Sequence, residues 1–177
     1  IVWFGHSSYL IRIYGQNILV DPVFSSRPSP IQFIGKESYQ TEVKYTADHM
    51  PKQIDLVIIT HDHYDHLDYN TILYLNEHTK LFCVPLGVGA HLEYWGVAES
   101  KIREFDWWEG AMVLPGLEIT ATPARHFSGR GFTRFKTLWA WFVVKAGGKT
   151  LFIGGDSGYD ESFKKIGERF GAFDLVM

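Results

Sequence analysis

The sequence predicts a layered α/β (α+β) fold in which helices cover the faces of β-sheets. Three observations predict it. Strand-length apolar runs rich in β-branched and aromatic residues recur at SYLIRI, NILVDP, QIDLVIIT, LFCVP, LEITATP, WAWFVVKA, KTLFIGG and FDLVM. Segments of helical periodicity and glycine- or proline-bearing turns separate them. A composition of 46% hydrophobic and 21% charged residues over 177 positions suits one domain with its own core, and no linker-like stretch divides residues 1–177.

Taken in order, SYLIRI and NILVDP flank Tyr14 to Gln16, whose glycine favours a turn, so the opening reads as a β-hairpin. Ser25 to Tyr39 carries two prolines and scattered polar residues and reads as a long surface loop. QIDLVIIT, residues 53 to 60, is continuously apolar, as a central strand covered on both faces requires. Asp68 is placed to cap a helix running to about Glu77, with Leu67 and Ile72 as a hydrophobic staple across its first turn. The histidine cluster that precedes Asp68 therefore falls in a strand-to-helix loop. Cys83, within LFCVP, reads as a buried small hydrophobe. Near the end, ESFKKIGERF lies between a cap at Asp160 and Gly171 and puts Phe163, Ile166 and Phe170 on one helical face. FDLVM echoes IDLVII, which would suit two related halves.

Composition excludes several classes. No apolar run approaches the roughly 18 to 20 residues of a membrane-spanning helix. A single cysteine excludes an intrachain disulfide framework, and a net charge of −3 argues against a general nucleic-acid binder. The chain begins at Ile1 inside a strand-like segment, so any targeting signal is unread; a cytoplasmic or membrane-associated location is the expectation.

Chemistry concentrates in THDHYDHLD, residues 60 to 68, which holds His61, Asp62, His63, Asp65 and His66. Imidazole nitrogen and carboxylate oxygen are the ligands that suit zinc. One short loop cannot bring all of them to a single ion at good geometry, whereas two ions about 3.5 to 4 Å apart share such a set. A polar loop of solvated histidines and acids is the bland reading; the apolar strand before it argues against that, because α/β sheets place ligands at strand ends.

H-x-H-x-D-H after an apolar strand ending in threonine resembles the signature of the metallo-β-lactamase superfamily, whose fold is an αββα sandwich. Alone, His126 in TPARHFSGR would read as structural and Asp156 in FIGGDSGYD as a turn residue beside its glycines. The resemblance implies that His61, His63 and His126 hold one metal, that Asp65 and His66 hold a second, and that Asp156 bridges them, with Asp65 and Asp156 in catalytic roles. It also implies a final histidine beyond Met177, so the functional protein is expected to continue past both ends of this sequence. FGHSSYLI, LVDPVFSSRPSPIQF, DHLDYN, VPLGV, EFDWWEG, ARHFSGR and GDSGYDESFKKIGERFGAFDL together resemble the N-acylphosphatidylethanolamine-hydrolysing phospholipase D branch. That resemblance implies two zinc ions, with manganese or iron as alternatives, and a metal-activated hydroxide that attacks the phosphorus of a phospholipid.

Residues outside the motif fit this chemistry in part. Arg125, Arg130, Arg134 and Lys136 fall in a stretch free of acids, and Arg130 and Arg134 are candidates to face phosphate or an anionic membrane surface; a solvated basic loop is the alternative. Asp21 is a candidate to orient a ligand imidazole, or a turn-forming Asp-Pro. His6 is placed near the metals by the GHSS resemblance, while His49, His78 and His91 read as surface residues. The expected partners are a phospholipid or other small phosphodiester, a peripheral membrane contact and a second copy of the chain, with no nucleic acid. A hydrolase of the same fold acting on a lactone or sugar phosphate is the runner-up. Two-iron redox relatives usually carry glutamate where this chain has His63, which counts against that class.

Overall fold

The structure, a computed structural model, describes residues 1–27, 29 and 45–177. Most of the loop expected over Ser25 to Tyr39 therefore lies outside the described residues.

The chain opens with β1 (Val2–Gly5), β2 (Ser8–Ile13) and β3 (Gln16–Val20). The hairpin read from the sequence is β2 and β3, antiparallel from Tyr9 opposite Val20 to Ile13 opposite Gln16. Tyr14 and Gly15 join them with φ of 50° and 73°, and two successive left-handed residues give a turn whose twist matches that of the strands. β4 (Ile54–Ile58) is buried at all five positions and lies parallel to β3. β5 (Thr79–Pro85) and β6 (Ile102–Phe105) continue in parallel, giving a six-stranded sheet in the order β1-β2-β3-β4-β5-β6.

The second sheet follows. β7 (Gly110–Leu114) and β8 (Leu117–Thr122) are succeeded by a small outlying hairpin of β9 (Gly129–Arg130) and β10 (Thr133–Arg134). β11 (Trp141–Ala146), β12 (Lys149–Ile153) and β13 (Leu175–Val176) complete a five-stranded sheet in the order β13-β12-β11-β8-β7.

Strand alternation sorts the apolar side chains into layers. Ile18, Val20, Leu56 and Ile58 of the first sheet pack with Ile119, Phe142, Val144 and Ile153 of the second, forming the central core. Their sequence neighbours Leu19 and Val57 point the other way, onto α1 (Tyr69–Asn76) and α2 (Gly89–Tyr94), through Ile72, Leu75 and Leu92. On the outer face of the second sheet, Trp141, Val143 and Phe152 pack against Ile166 of α3 (Ser162–Phe170). The arrangement is an αββα sandwich, as the resemblance implies. Cys83 is wholly buried in the central layer, and desolvation pushes its thiol well above the usual range.

The echo between the two strand-like runs has a structural counterpart. In each sheet an antiparallel hairpin, β2–β3 or β11–β12, is followed by a crossover to a strand parallel to its second member, β4 or β13. Asp68 stands at the N-cap of α1 but makes no capping hydrogen bond. Its carboxylate instead accepts from Ser25 N at 3.0 Å, Ser25 Oγ at 2.8 Å and Thr71 Oγ1. It thereby ties the incoming loop to the helix. At α3, Ser162 N donates to Asp160 Oδ1 at 2.7 Å, and Gly171 ends the helix with φ 76°.

Candidate metal centre

β4 ends at Ile58, and the chain continues through Ile59 and Thr60 into the histidine loop at the C-terminal edge of the first sheet. His61, His63 and His126 turn one nitrogen each toward a common point. His61 Nε2 lies 2.9 Å from His63 Nδ1, and His126 Nε2 lies 3.2 Å from both. Donors held tetrahedrally on zinc at about 2.0–2.1 Å stand about 3.3 Å apart, so the trio is spaced as ligands to one ion would be. Three ring nitrogens facing one another cannot all be satisfied by a single N–H per ring, and a cation between them removes the conflict.

Electrostatics favour the ligand form. Burial pushes the His61 imidazole far below its ordinary value, and the neighbouring His66, His63 and His126 push it further. His126 is lowered by burial and then by His63; His63 is lowered by burial, which outweighs the nearby Asp62 and Asp65 carboxylates. Neutral imidazole is the state that binds metal.

A second group lies alongside. One donor atom from each of His6, Asp65 and His66 falls within 4.8 Å of the others, and His61, His66 and Asp156 form a further such group. His66 Nδ1 is 2.7 Å from Asp21 Oδ2 with both side chains only 1% exposed, leaving Nε2 to face the site. That Nε2 is buried without a hydrogen-bond partner and lies 3.4 Å from Asp156 Oδ1. The other Asp156 oxygen is 4.0 Å from His126 Nε2, so one carboxylate presents an oxygen to each group. Burial opposes charge on His66, but Asp21 and Asp156 outweigh it and raise the imidazole to about 10. Asp156 is lowered to about 2, chiefly by its contact with His66 and against a smaller cost of burial. A buried nitrogen that faces the Asp156 carboxylate, next to three convergent imidazoles, fits divalent cations in both groups, the second taking the place of the proton that Asp21 and Asp156 otherwise favour on His66.

Local structure explains these placements. Asp21 follows β3 in a left-handed conformation, φ 39°, which aspartate tolerates better than most residues. There it accepts from Thr60 N at 2.7 Å and Thr60 Oγ1 at 2.6 Å as well as meeting His66. His6, at φ 45° in the β1–β2 turn, brings Nε2 to 3.0 Å from Asp65 Oδ2, while Ser7 Oγ donates to Asp65 O at 2.8 Å. Gly155 permits the close approach that positions Asp156. A Cβ there would stand 2.6 Å from Thr60 Oγ1 and 2.8 Å from Thr60 Cβ.

Several neighbours are not evident from sequence. Phe127 packs its ring against those of His63 and His126, at centroid distances of 4.7 and 4.9 Å, and walls one side of the trio. Asp62, within the ligand loop, faces away from the trio's common point: its Oδ1 accepts from Gly129 N at 2.6 Å, and Oδ2 lies 3.5 Å from His91 Nε2. His91, read as a surface residue, is thus half-buried against Asp62 and Trp95. Arg130 donates through Nη1 to Asp62 O at 2.8 Å and Leu67 O at 2.7 Å, and its cation lies over the Tyr64 and Trp95 rings. That guanidinium braces the ligand loop. Arg134 is exposed, with its cation over Phe127. Only pairing across space reveals these roles.

A family model described as "Beta-lactamase superfamily domain" matches residues 16–177. An uncharacterised protein of Mycobacterium tuberculosis is 45% identical over 177 residues, covering 99% of this chain and 46% of the relative. The N-acyl-phosphatidylethanolamine-hydrolyzing phospholipase D 1 of Caenorhabditis elegans is 34% identical over 185 residues, covering 98% of this chain and 51% of that protein. The chain thus spans about half the length of these curated relatives. Among solved structures, a diiron β-hydroxylase from Streptomyces venezuelae matches with a TM-score of 0.75 at 25% identity, covering 98% of this chain and 33% of that one.

Proposed function

We propose, for a chain that belongs to the metallo-β-lactamase superfamily, that it is a metal-dependent hydrolase and, more finely, a phosphodiesterase acting on N-acylphosphatidylethanolamine-type phospholipids. The observation that carries the hydrolase reading is the convergence of His61, His63 and His126 beside His66, Asp65 and Asp156. The finer reading is supported by likeness to the nematode phospholipase D, 34% identical across 98% of this chain.

In this reading His61, His63 and His126 hold one cation, His66 and Asp65 hold the other, and Asp156 offers an oxygen to each. Divalent cations at such a centre supply an acidified water and positive charge for phosphoryl oxygens. The chain's own residues do the rest. Asp21 and Thr60 fix the His66 ring so that Nε2 faces inward, His6 and Ser7 hold Asp65 in place, and Phe127 packs along one flank of the trio. Of the two candidate arginines, Arg134 is the one exposed to meet a phosphate, because Nη1 of Arg130 is committed to main-chain carbonyls.

A hydrolase of the same fold acting on a lactone or sugar phosphate is the runner-up, and a two-iron redox centre, favoured by the diiron β-hydroxylase likeness, has His63 against it. One experiment separates the candidates: rates on N-acylphosphatidylethanolamine micelles are set against a panel of lactones and sugar phosphates, with zinc-, manganese- and iron-loaded protein. Phosphatidic acid release with zinc supports the phosphodiesterase. Preference for lactones or sugar phosphates would replace the substrate class, and oxygen consumption confined to the iron form would replace the reaction.

A further inference from the structure

We propose that the β9–β10 hairpin, Gly129–Arg134, together with Phe135 and Lys136, docks the protein onto the surface of an anionic lipid layer. This deepens the lipid reading of the site and rests on it. The hairpin's base and tip have opposite characters. At the base, Gly129 N is bonded to the Asp62 carboxylate, and Arg130 reaches the Asp62 and Leu67 carbonyls while packing over Tyr64 and Trp95. The hairpin is therefore braced against the loop that carries His61, His63, Asp65 and His66.

The tip offers large apolar groups to solvent. Phe132 is 111% exposed and Phe135 65%. Phe135 meets Phe127 and Trp139 along part of its ring and leaves the rest to solvent, and exposed aromatics grouped beside cations mark an interaction surface. Positive charge sits with them: Arg134 is exposed within the hairpin, Lys136 follows Phe135, and residues 125–136 contain no acid. Aromatic rings at the acyl boundary with basic side chains among anionic headgroups is the pattern of interfacial binding.

The aromatic contacts also run inward. Phe135 lies 6.3 Å from Phe127, whose ring abuts His63 and His126. A layer gripped by the tip therefore lies next to the histidine cluster. Charge complementarity favours a lipid surface over a second copy of this chain, whose net charge is only −3.

The test is co-sedimentation with vesicles of phosphatidylcholine, alone or mixed with phosphatidylglycerol. Wild-type protein is expected to bind the mixed vesicles and not the neutral ones. The double variant F132S/F135S is expected to lower partitioning about tenfold or more, and R134Q or K136Q about fivefold each. Because both phenylalanines are exposed, F132S/F135S should keep the wild-type melting temperature and turnover of a water-soluble phosphodiester. Failure of wild type to bind mixed vesicles, or equal binding by F132S/F135S, overturns the proposal. So does light scattering that shows a dimer dissolved by F132S/F135S without any vesicle binding. Binding is read without hydrolysis, so a protein that docks but does not cleave lipid would sink the substrate reading alone.

Discussion

The His66 imidazole and the Asp21 carboxylate meet at 2.7 Å, Nδ1 to Oδ2, with both side chains 1% exposed. The pair spans the end of the opening hairpin and the loop after β4, so the orientation of one candidate ligand is set by a residue 45 positions away. A carboxylate behind a ligand imidazole fixes its tautomer and raises its basicity.

Asp21→Asn keeps the shape of the side chain but removes the charge that pairs with His66. Zinc affinity of the second site is expected to fall about 10- to 100-fold, with the first site little changed. Titration against a competing chelator measures both. Unchanged affinity at both sites would remove Asp21 from the account.

Asp65→Asn and Asp156→Asn are expected to lower turnover on the order of 100-fold while shifting the melting temperature little, since both carboxylates are more than a third exposed and face the site rather than the core. Rates and melts on the same preparations decide this. Near wild-type turnover in both variants, with metal bound, would show the roles to be wrong.

Gly155→Ala forces a methyl group against Thr60, a residue 1% exposed whose hydroxyl is already committed to Asp21. Overpacking of this kind costs about 1–3 kcal/mol, and the displaced segment carries Asp156. Reduced metal retention alongside lower stability is the expected result, read by elemental analysis and thermal melts. A variant with wild-type metal content and melting temperature would show that the close approach is dispensable.

For metal-free protein the pH dependence has two limbs. His61, His63 and His126 are lowered below 6.5 in the fold, so the unfolded chain binds more protons and stability falls as pH drops below about 6.5. His66 is raised to about 10, so its contribution is fully present below about 6.5 and is lost as pH rises toward 10. Melting temperature of the apoprotein should therefore peak near neutrality. A monotonic rise down to pH 5 would contradict the crowding of the three imidazoles.

How much of this was legible in the sequence depended on how local the signal was. The apolar run over residues 53 to 60 and the turn at Tyr14 to Gln16 declare themselves, because burial on both faces and a turn-forming glycine are written into adjacent residues. Val2–Gly5, Ile102–Phe105 and Gly110–Leu114 do not, because these short strands are half exposed and gain their order from partners. The donor residues cluster visibly in THDHYDHLD, yet the inward-facing Nε2 of His66, the bracing role of Arg130 and the pairing of Asp62 with Gly129 exist only once distant segments meet. Arg130 and Arg134 look alike in sequence. The fold separates them, turning one onto main-chain carbonyls and the other to solvent.

Anomalous diffraction at the zinc edge, on crystals grown with zinc, tests the centre most directly. Two peaks about 3.5 to 4 Å apart are expected, one within about 2.3 Å of His61 Nε2, His63 Nδ1 and His126 Nε2, and one beside His66 Nε2 and Asp65 with Asp156 reaching toward both. No peak among these side chains, or zinc bound elsewhere with the three imidazoles left facing one another, would contradict it.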